Sequence, residues 1–92
     1  MKIPKLNTGE VVYIEWLDIK SALGWAYNPT YKRIPARLHS IGYVVQRNNE
    51  CLTITTSMDY RGASLDDLSI PISCIKELEI LEGYGLRGIH VQ

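Results

Sequence analysis

The chain contains only two cysteines, Cys51 and Cys74, among its 92 residues. Two thiols are too few for a disulfide framework and fit a reducing compartment, where free cysteines usually serve as packing residues. No apolar run approaches the length of a membrane span, and the basic start at residues 1–5 is followed by no apolar stretch and no small-residue cleavage site. We therefore expect a cytoplasmic protein that has no membrane partner.

The chain also lacks net charge, because ten Lys and Arg residues balance ten Asp and Glu residues. A neutral domain has no strong nonspecific attraction for nucleic acid. The charges are unevenly distributed: residues 1–50 carry seven basic and four acidic side chains, whereas residues 51–92 carry three basic and six acidic ones. Two oppositely charged regions could pair head to tail between copies of the chain, or the charges could be scattered over a mixed surface.

No motif of nucleophilic or metal-assisted catalysis is present. His39 and His90 lie far apart in the sequence, one in a predicted strand and one near the end of the chain. Together with Cys51 and Cys74 they make four potential zinc ligands, but no two of them have the close spacing typical of zinc sites. We expect no enzymatic activity, no metal and no cofactor.

Strand-like patterns run through most of the chain. Residues 11–17 are mostly β-branched or aromatic and predict a first strand. Residues 37–46 predict a second strand, in which the central Gly42 marks a bulge or a sharp bend. Residues 51–58 predict a third strand, because apolar side chains alternate strictly with side chains that are mostly hydroxyl-bearing. These segments indicate an all-β protein.

Residues 68–81, LSIPISCIKELEIL, predict two further strands around a tight corner. Apolar residues alternate with serine or proline before the corner and with glutamate after it. Ser73 and Cys74 form the whole junction, which favours a single helical turn over a two-residue hairpin turn. The alternative is a short amphipathic helix, since Ile75, Leu78 and Leu81 recur at intervals of three.

A long insertion at residues 19–35 separates the first two strands, and Gly and Pro residues interrupt any regular pattern within it. Aromatic and cationic side chains occur together there, namely Trp25, Tyr27, Lys32 and Arg33. Such side chains hold single-stranded nucleic acid by stacking and charge, or they pack onto the neighbouring sheet or subunit. Residues 83–92 follow as a C-terminal tail, and the whole chain, residues 1–92, is expected to be one domain.

The predicted order of elements resembles the Sm-like fold, a small, strongly bent, five-stranded antiparallel barrel. The resemblance covers about residues 11–81. More narrowly, the strings IEWLDIKSALGW, HSIGYVV and IPISCIKELEIL resemble a group of small phage proteins, of cyanophage type, that are assigned to that fold. The resemblance implies a location in the cytoplasm of the host cell.

The resemblance also implies a homo-oligomeric ring of about five to seven copies, with the smaller number favoured. In such a ring the fourth strand of one copy pairs with the fifth strand of the next. We expect the interface to include five apolar residues of these two strands and their corner: Leu68, Ile70, Ile72, Leu78 and Ile80.

Sm-like rings bind single-stranded, uridine-rich RNA at turns that face the pore, and the resemblance implies this for Arg47, Asn48 and Asn49. An amide can read a base edge, and a guanidinium can stack on a base or bind phosphate. The family pattern is incomplete, because the second turn has Ser73-Cys74 where an Arg-Gly pair is expected. Asn48 and Asn49 could instead be turn residues only. The alternative function is a structural or protein-interaction module with no nucleic-acid ligand.

Overall fold

The computed structural model describes residues 2–18 and 36–85. The predicted insertion at 19–35, and residues 86–92 of the predicted tail, lie outside the described residues. The described chain forms seven β-strands and one 3₁₀ helix. Their bounds are β1 (Val11–Asp18), β2 (Ala36–Arg47), β3 (Cys51–Thr55), β4 (Ser57–Met58), β5 (Ser64–Leu65), β6 (Leu68–Pro71), the 3₁₀ helix (Ile72–Cys74) and β7 (Ile75–Ile80).

Five of these strands form one antiparallel sheet in the order β6-β3-β2-β1-β7. The prediction of an all-β protein with a five-stranded antiparallel sheet is therefore confirmed. The fourth predicted strand corresponds to β6 and the fifth to β7, so residues 75–80 form a strand and not the alternative amphipathic helix. The helical corner between them is also present, as the 3₁₀ helix.

The prediction of a closed barrel is wrong, because the two edge strands β6 and β7 form no ladder with each other. The sheet is nevertheless strongly curved. Pro71 and Ile75 are four residues apart and so lie within about 14 Å of each other, whereas the outer strands of a flat five-stranded sheet are about 19 Å apart. Since the 3₁₀ helix follows β6 directly and β7 follows the helix directly, the edges meet at this corner and do not run alongside each other.

The third strand is shorter than predicted, because β3 ends at Thr55 and residues 57–58 pair instead with residues 64–65. The hydroxyl of Thr55 explains the break. It donates a hydrogen bond to the carbonyl oxygen of Leu65 and accepts one from the N–H of Ser57 at 3.3 Å. The β4–β5 hairpin is thereby tied to the end of β3, and it leaves the line of the main sheet.

The core lies on one face of the sheet, to which alternate residues of each strand contribute. Residues on the opposite face of β3 are buried as well: Thr53 is hydrogen-bonded at 2.8 Å to the hydroxyl of Ser69 on β6. The buried core residues are Ile3, Val12, Ile14, Trp16, Val44, Leu52, Ile54, Ile70 and Ile75.

Gly42 allows a close approach between β2 and β3. A Cβ atom at this position would lie 2.7 Å from the carbonyl oxygen of Thr55, a distance that real Cβ atoms do not adopt. The register shift of this ladder lies further along, between Val44 and Gln46. The sequence therefore identified a real irregularity in β2, but the glycine marks the backbone contact and the bulge follows it.

Candidate nucleic-acid interface and strand edges

The turn between β2 and β3 is organised by the side chain of Asn48. Its Oδ1 atom accepts hydrogen bonds from the backbone N–H groups of Glu50 and Cys51, both at 2.8 Å. The backbone N–H of Asn48 donates to the carbonyl oxygen of Cys51 at 3.0 Å. This is the local side-chain-to-backbone pattern that makes asparagine favourable in turns. The amide oxygen of Asn48 is thus occupied within the turn.

All three residues are exposed, but Arg47 and Asn49 differ from Asn48 in that their side chains form no hydrogen bond or ion pair with another described residue. Arg47 supplies a planar guanidinium cation, and Asn49 supplies an amide that has both hydrogen-bond donors and an acceptor. Of the three turn residues predicted to contact RNA, these two therefore have side chains that remain available for a ligand.

The turn lies beside the 3₁₀ corner, because the N–H of Ile72 donates to the carbonyl oxygen of Glu50 at 2.8 Å. A groove of about 620 Å³ lies between them and is lined by Asn49, Glu50, Cys51, Pro71, Ile72 and Ser73. Pro71 and Ile72 offer an apolar surface for a base, but the corner residues Ser73 and Cys74 add no cation. The carboxylate of Glu50 opposes phosphate binding at the same place.

The second predicted nucleic-acid surface, formed by Trp25, Tyr27, Lys32 and Arg33, lies outside the described residues. The five predicted interface residues are placed differently from one another. Ile70 is fully buried in the core of its own chain, Leu68 is 39% exposed, and Ile72, Leu78 and Ile80 are partly buried.

The hydrogen-bond alternation of an antiparallel ladder determines which backbone groups of β7 point outward. Leu81 donates to the carbonyl oxygen of Val11 at 2.8 Å, so every second residue back along β7, beginning with Glu79, also faces β1. The N–H and C=O groups of Leu78 and Ile80 therefore point away from the sheet, along its free edge.

The same reasoning applies to β6 at the other edge. Because Ile72 bonds to Glu50, the backbone groups of Ile70 face β3, and those of Ser69 and Pro71 point outward. Proline has no N–H, so Ser69 supplies the only outward-facing donor of this strand. Ser69 is not among the five predicted interface residues, although the alternation in LSIP would have indicated its position.

A polar cluster that the sequence did not predict lies on the sheet face opposite the core. The hydroxyl of Tyr13 and Nδ1 of His39 are 2.6 Å apart, and the carboxylate of Glu15 lies 3.4 Å from a guanidinium nitrogen of Arg37. His39 thus contacts a tyrosine in this cluster. No group of three or more His, Cys, Asp or Glu side chains in the described part of the chain is arranged to hold a metal ion.

The tip of the β4–β5 hairpin is fixed by Asp59. Its carboxylate accepts hydrogen bonds from the backbone N–H groups of Ala63 at 3.0 Å and Arg61 at 2.8 Å, and from the guanidinium of Arg61 at 3.1 Å. These bonds to the ionised form, that from Ala63 first, lower the pKa of Asp59 below its usual 3.8. The guanidinium of Arg61 also lies over the exposed ring of Tyr60.

Within residues 2–18 and 36–85, no helix is long and apolar enough to cross a membrane. Comparisons with family models, curated proteins and solved structures find no match to this chain.

Proposed function

We propose that this protein is an Sm-like subunit that assembles head to tail into a closed ring, through β6 of one copy and β7 of the next, and that the ring binds single-stranded RNA. The observation that carries the proposal is the complementarity of the two free edges. They belong to the fourth and fifth strands of the main sheet and are joined by only three residues.

Consider an antiparallel pairing in which Ser69 lies opposite Ile80 and Pro71 opposite Leu78. Every outward-facing backbone N–H and C=O group of these four residues then has a partner, except one. Ser69 and Ile80 exchange two hydrogen bonds, and the N–H of Leu78 donates to the carbonyl oxygen of Pro71. Only the carbonyl oxygen of Leu78 has no donor, because proline lacks the hydrogen. The pairing therefore tolerates Pro71 in this register, and exposed edges are otherwise a liability that proteins cover or shorten.

Each copy carries one edge of each kind, so the contact is heterologous and a chain of copies ends only by closing on itself. Leu68, Ile72, Leu78 and Ile80 retain exposed surface that the pairing would bury. Ile70 contributes to the interface only through the position of its strand, because its side chain already fills the core.

Arg47 and Asn49 are the side chains that would hold RNA, since a ring repeats in every copy this cation and amide, which pair with no described residue. The test is a titration of oligouridine at low and moderate salt. We expect affinity that falls with salt, and Arg47→Ala or Asn49→Ala should weaken binding by about 1 to 3 kcal/mol. No detectable binding at low salt would contradict the RNA assignment and leave the ring to be tested separately.

The second candidate function is a structural or protein-interaction module whose ring has no nucleic-acid ligand. Two observations favour it: the amide oxygen of Asn48 is occupied inside the turn, and Ser73-Cys74 provide no cation beside the groove. The oligouridine titration separates the two candidates. Either protein would act in the cytoplasm of the host cell.

A further inference from the structure

Among the described residues, a third unpaired strand edge is formed by the first half of β2. β1 pairs with β2 over residues 36–43, whereas β3 pairs only with residues 43–47. On the side away from β1, residues 36–42 therefore have no partner strand among the described residues. This edge is separate from β6 and β7.

The alternation of bonds shows which groups this edge presents. Val44 both donates to the carbonyl oxygen of Glu10 at 2.7 Å and accepts from the N–H of Gly9 at 2.8 Å, so it faces the β1 side. Even-numbered residues back along β2 share this direction. The backbone N–H and C=O groups of Arg37, His39 and Ile41 consequently point to the free edge.

The side chains around this edge are largely apolar at one end. Ile41 is 61% exposed and separates two grooves, of about 360 Å³ and 210 Å³, that both include Thr56 in their walls. Tyr84, which is 74% exposed, lines the larger groove, and Leu68 lines the smaller one. An exposed apolar surface beside unpaired strand groups is a site where a further strand is expected to pair.

Opposite charges lie at the two ends of the same edge. The exposed Asp66 forms part of the smaller groove beside Ile41, and Arg37 lies four residues away with its side chain 62% exposed. A surface with a cation at one end and an anion beside apolar side chains at the other is complementary to itself under a two-fold rotation, which places one end against the other.

We propose that this edge of β2 binds the same edge of a second copy of the chain, antiparallel and centred on His39. In this register Arg37 of each copy lies opposite Ile41 of the other, and the two His39 residues lie opposite each other. All three residues in each copy then bond through both backbone groups. The register also brings Arg37 of each copy toward Asp66 of the other copy, which lies beside Ile41. An unrelated extended peptide would not supply this charge pairing.

The test compares His39→Pro with His39→Ala by sedimentation equilibrium at micromolar concentration. Both variants lose the contact of the imidazole with Tyr13, but only proline removes the outward N–H at the centre of the pairing. Because that N–H does not bond to β1, proline is compatible with the protomer at this position. We expect His39→Pro to have half the mass of the wild type and His39→Ala to keep the wild-type mass.

A wild-type mass that is unchanged in His39→Pro would overturn the proposal. Ile41→Lys provides a second variant if His39→Pro does not fold, since its exposed side chain contributes little to the protomer and would face Arg37 of the other copy. It should halve the mass in the same way, and an unchanged mass would again overturn the proposal. The proposal does not depend on the ring. Without a ring, the wild type is a dimer and the variant is a monomer. With a ring, the wild type is a pair of rings and the variant is a single ring.

Discussion

The backbone N–H of Ile72 donates a 2.8 Å hydrogen bond to the carbonyl oxygen of Glu50, and this bond joins the β2–β3 turn to the 3₁₀ corner. One consequence is that both turns border a single groove. The other is the direction of the free groups on β6, because the bond determines which residues of that strand face β3 and which face outward. The candidate ligand surface and the candidate subunit contact thus depend on the same short segment.

Asn48 should contribute to stability and Asn49 should not. Asn48→Ala removes the acceptor of two backbone N–H groups, and we expect the free energy of unfolding to fall by about 1 kcal/mol. Asn49→Ala is the matched control on an exposed side chain and should change stability by less than about 0.5 kcal/mol. Urea unfolding measures both, and equal effects would contradict the assignment of Asn48 to the turn.

Gly42 should tolerate no side chain. Gly42→Val places a Cβ against the carbonyl oxygen of Thr55, so either the β2–β3 ladder shifts or the strands separate. Overpacking of this kind costs about 1 to 3 kcal/mol. Thermal and urea unfolding of Gly42→Val should show the loss, with Ile41→Val as a nearby control at an exposed position. An unchanged melting temperature would show that β2 and β3 do not approach so closely.

The hairpin tip should lose order in acid through Asp59. Its pKa is lowered in the folded state, so its contribution to stability is present above the unfolded value of 3.8 and is lost as the pH falls through the lower folded value. The amide resonances of Arg61 and Ala63, followed by NMR, should therefore shift with a midpoint below 3.8. In Asp59→Asn this transition should disappear, and a wild-type midpoint at or above 3.8 would contradict the hydrogen-bond assignment.

The sequence predicted the five strands of the main sheet, but alternation alone determined neither the end of one strand nor the choice between strand and helix for another segment. Residues 75–80 satisfied both a strand pattern and a helix pattern, and the pairing of β7 with β1 decided between them, which a single segment cannot reveal. The third strand was predicted to be too long, because alternation continues beyond the point where the strand ends. Its alternation continues to Met58, but the hydroxyl of Thr55 bonds to the hairpin and ends the strand three residues earlier.

Closure of the sheet and the availability of side chains could not be predicted, because both depend on tertiary contacts. The residue pattern of LSIPISCIKELEIL is the same whether the two edge strands pair along their length or are only joined at the corner. Likewise, Asn48 and Asn49 are chemically identical in the sequence. Only the position of Glu50 and Cys51 in the turn shows that the amide oxygen of Asn48 is occupied, whereas the side chain of Asn49 bonds to no described residue.

The central claim is that copies of the chain join through β6 and β7, and Ser69 tests it most directly. Ser69→Ala and Ser69→Pro both remove the hydroxyl that bonds Thr53, but only proline removes the single outward donor of β6. Sedimentation equilibrium at micromolar concentration should show the wild type and Ser69→Ala as closed assemblies of the same mass, with Ser69→Pro reduced to a monomer or a two-fold dimer. A monomeric wild type, or a Ser69→Pro variant that is folded and keeps the full mass, would contradict the claim.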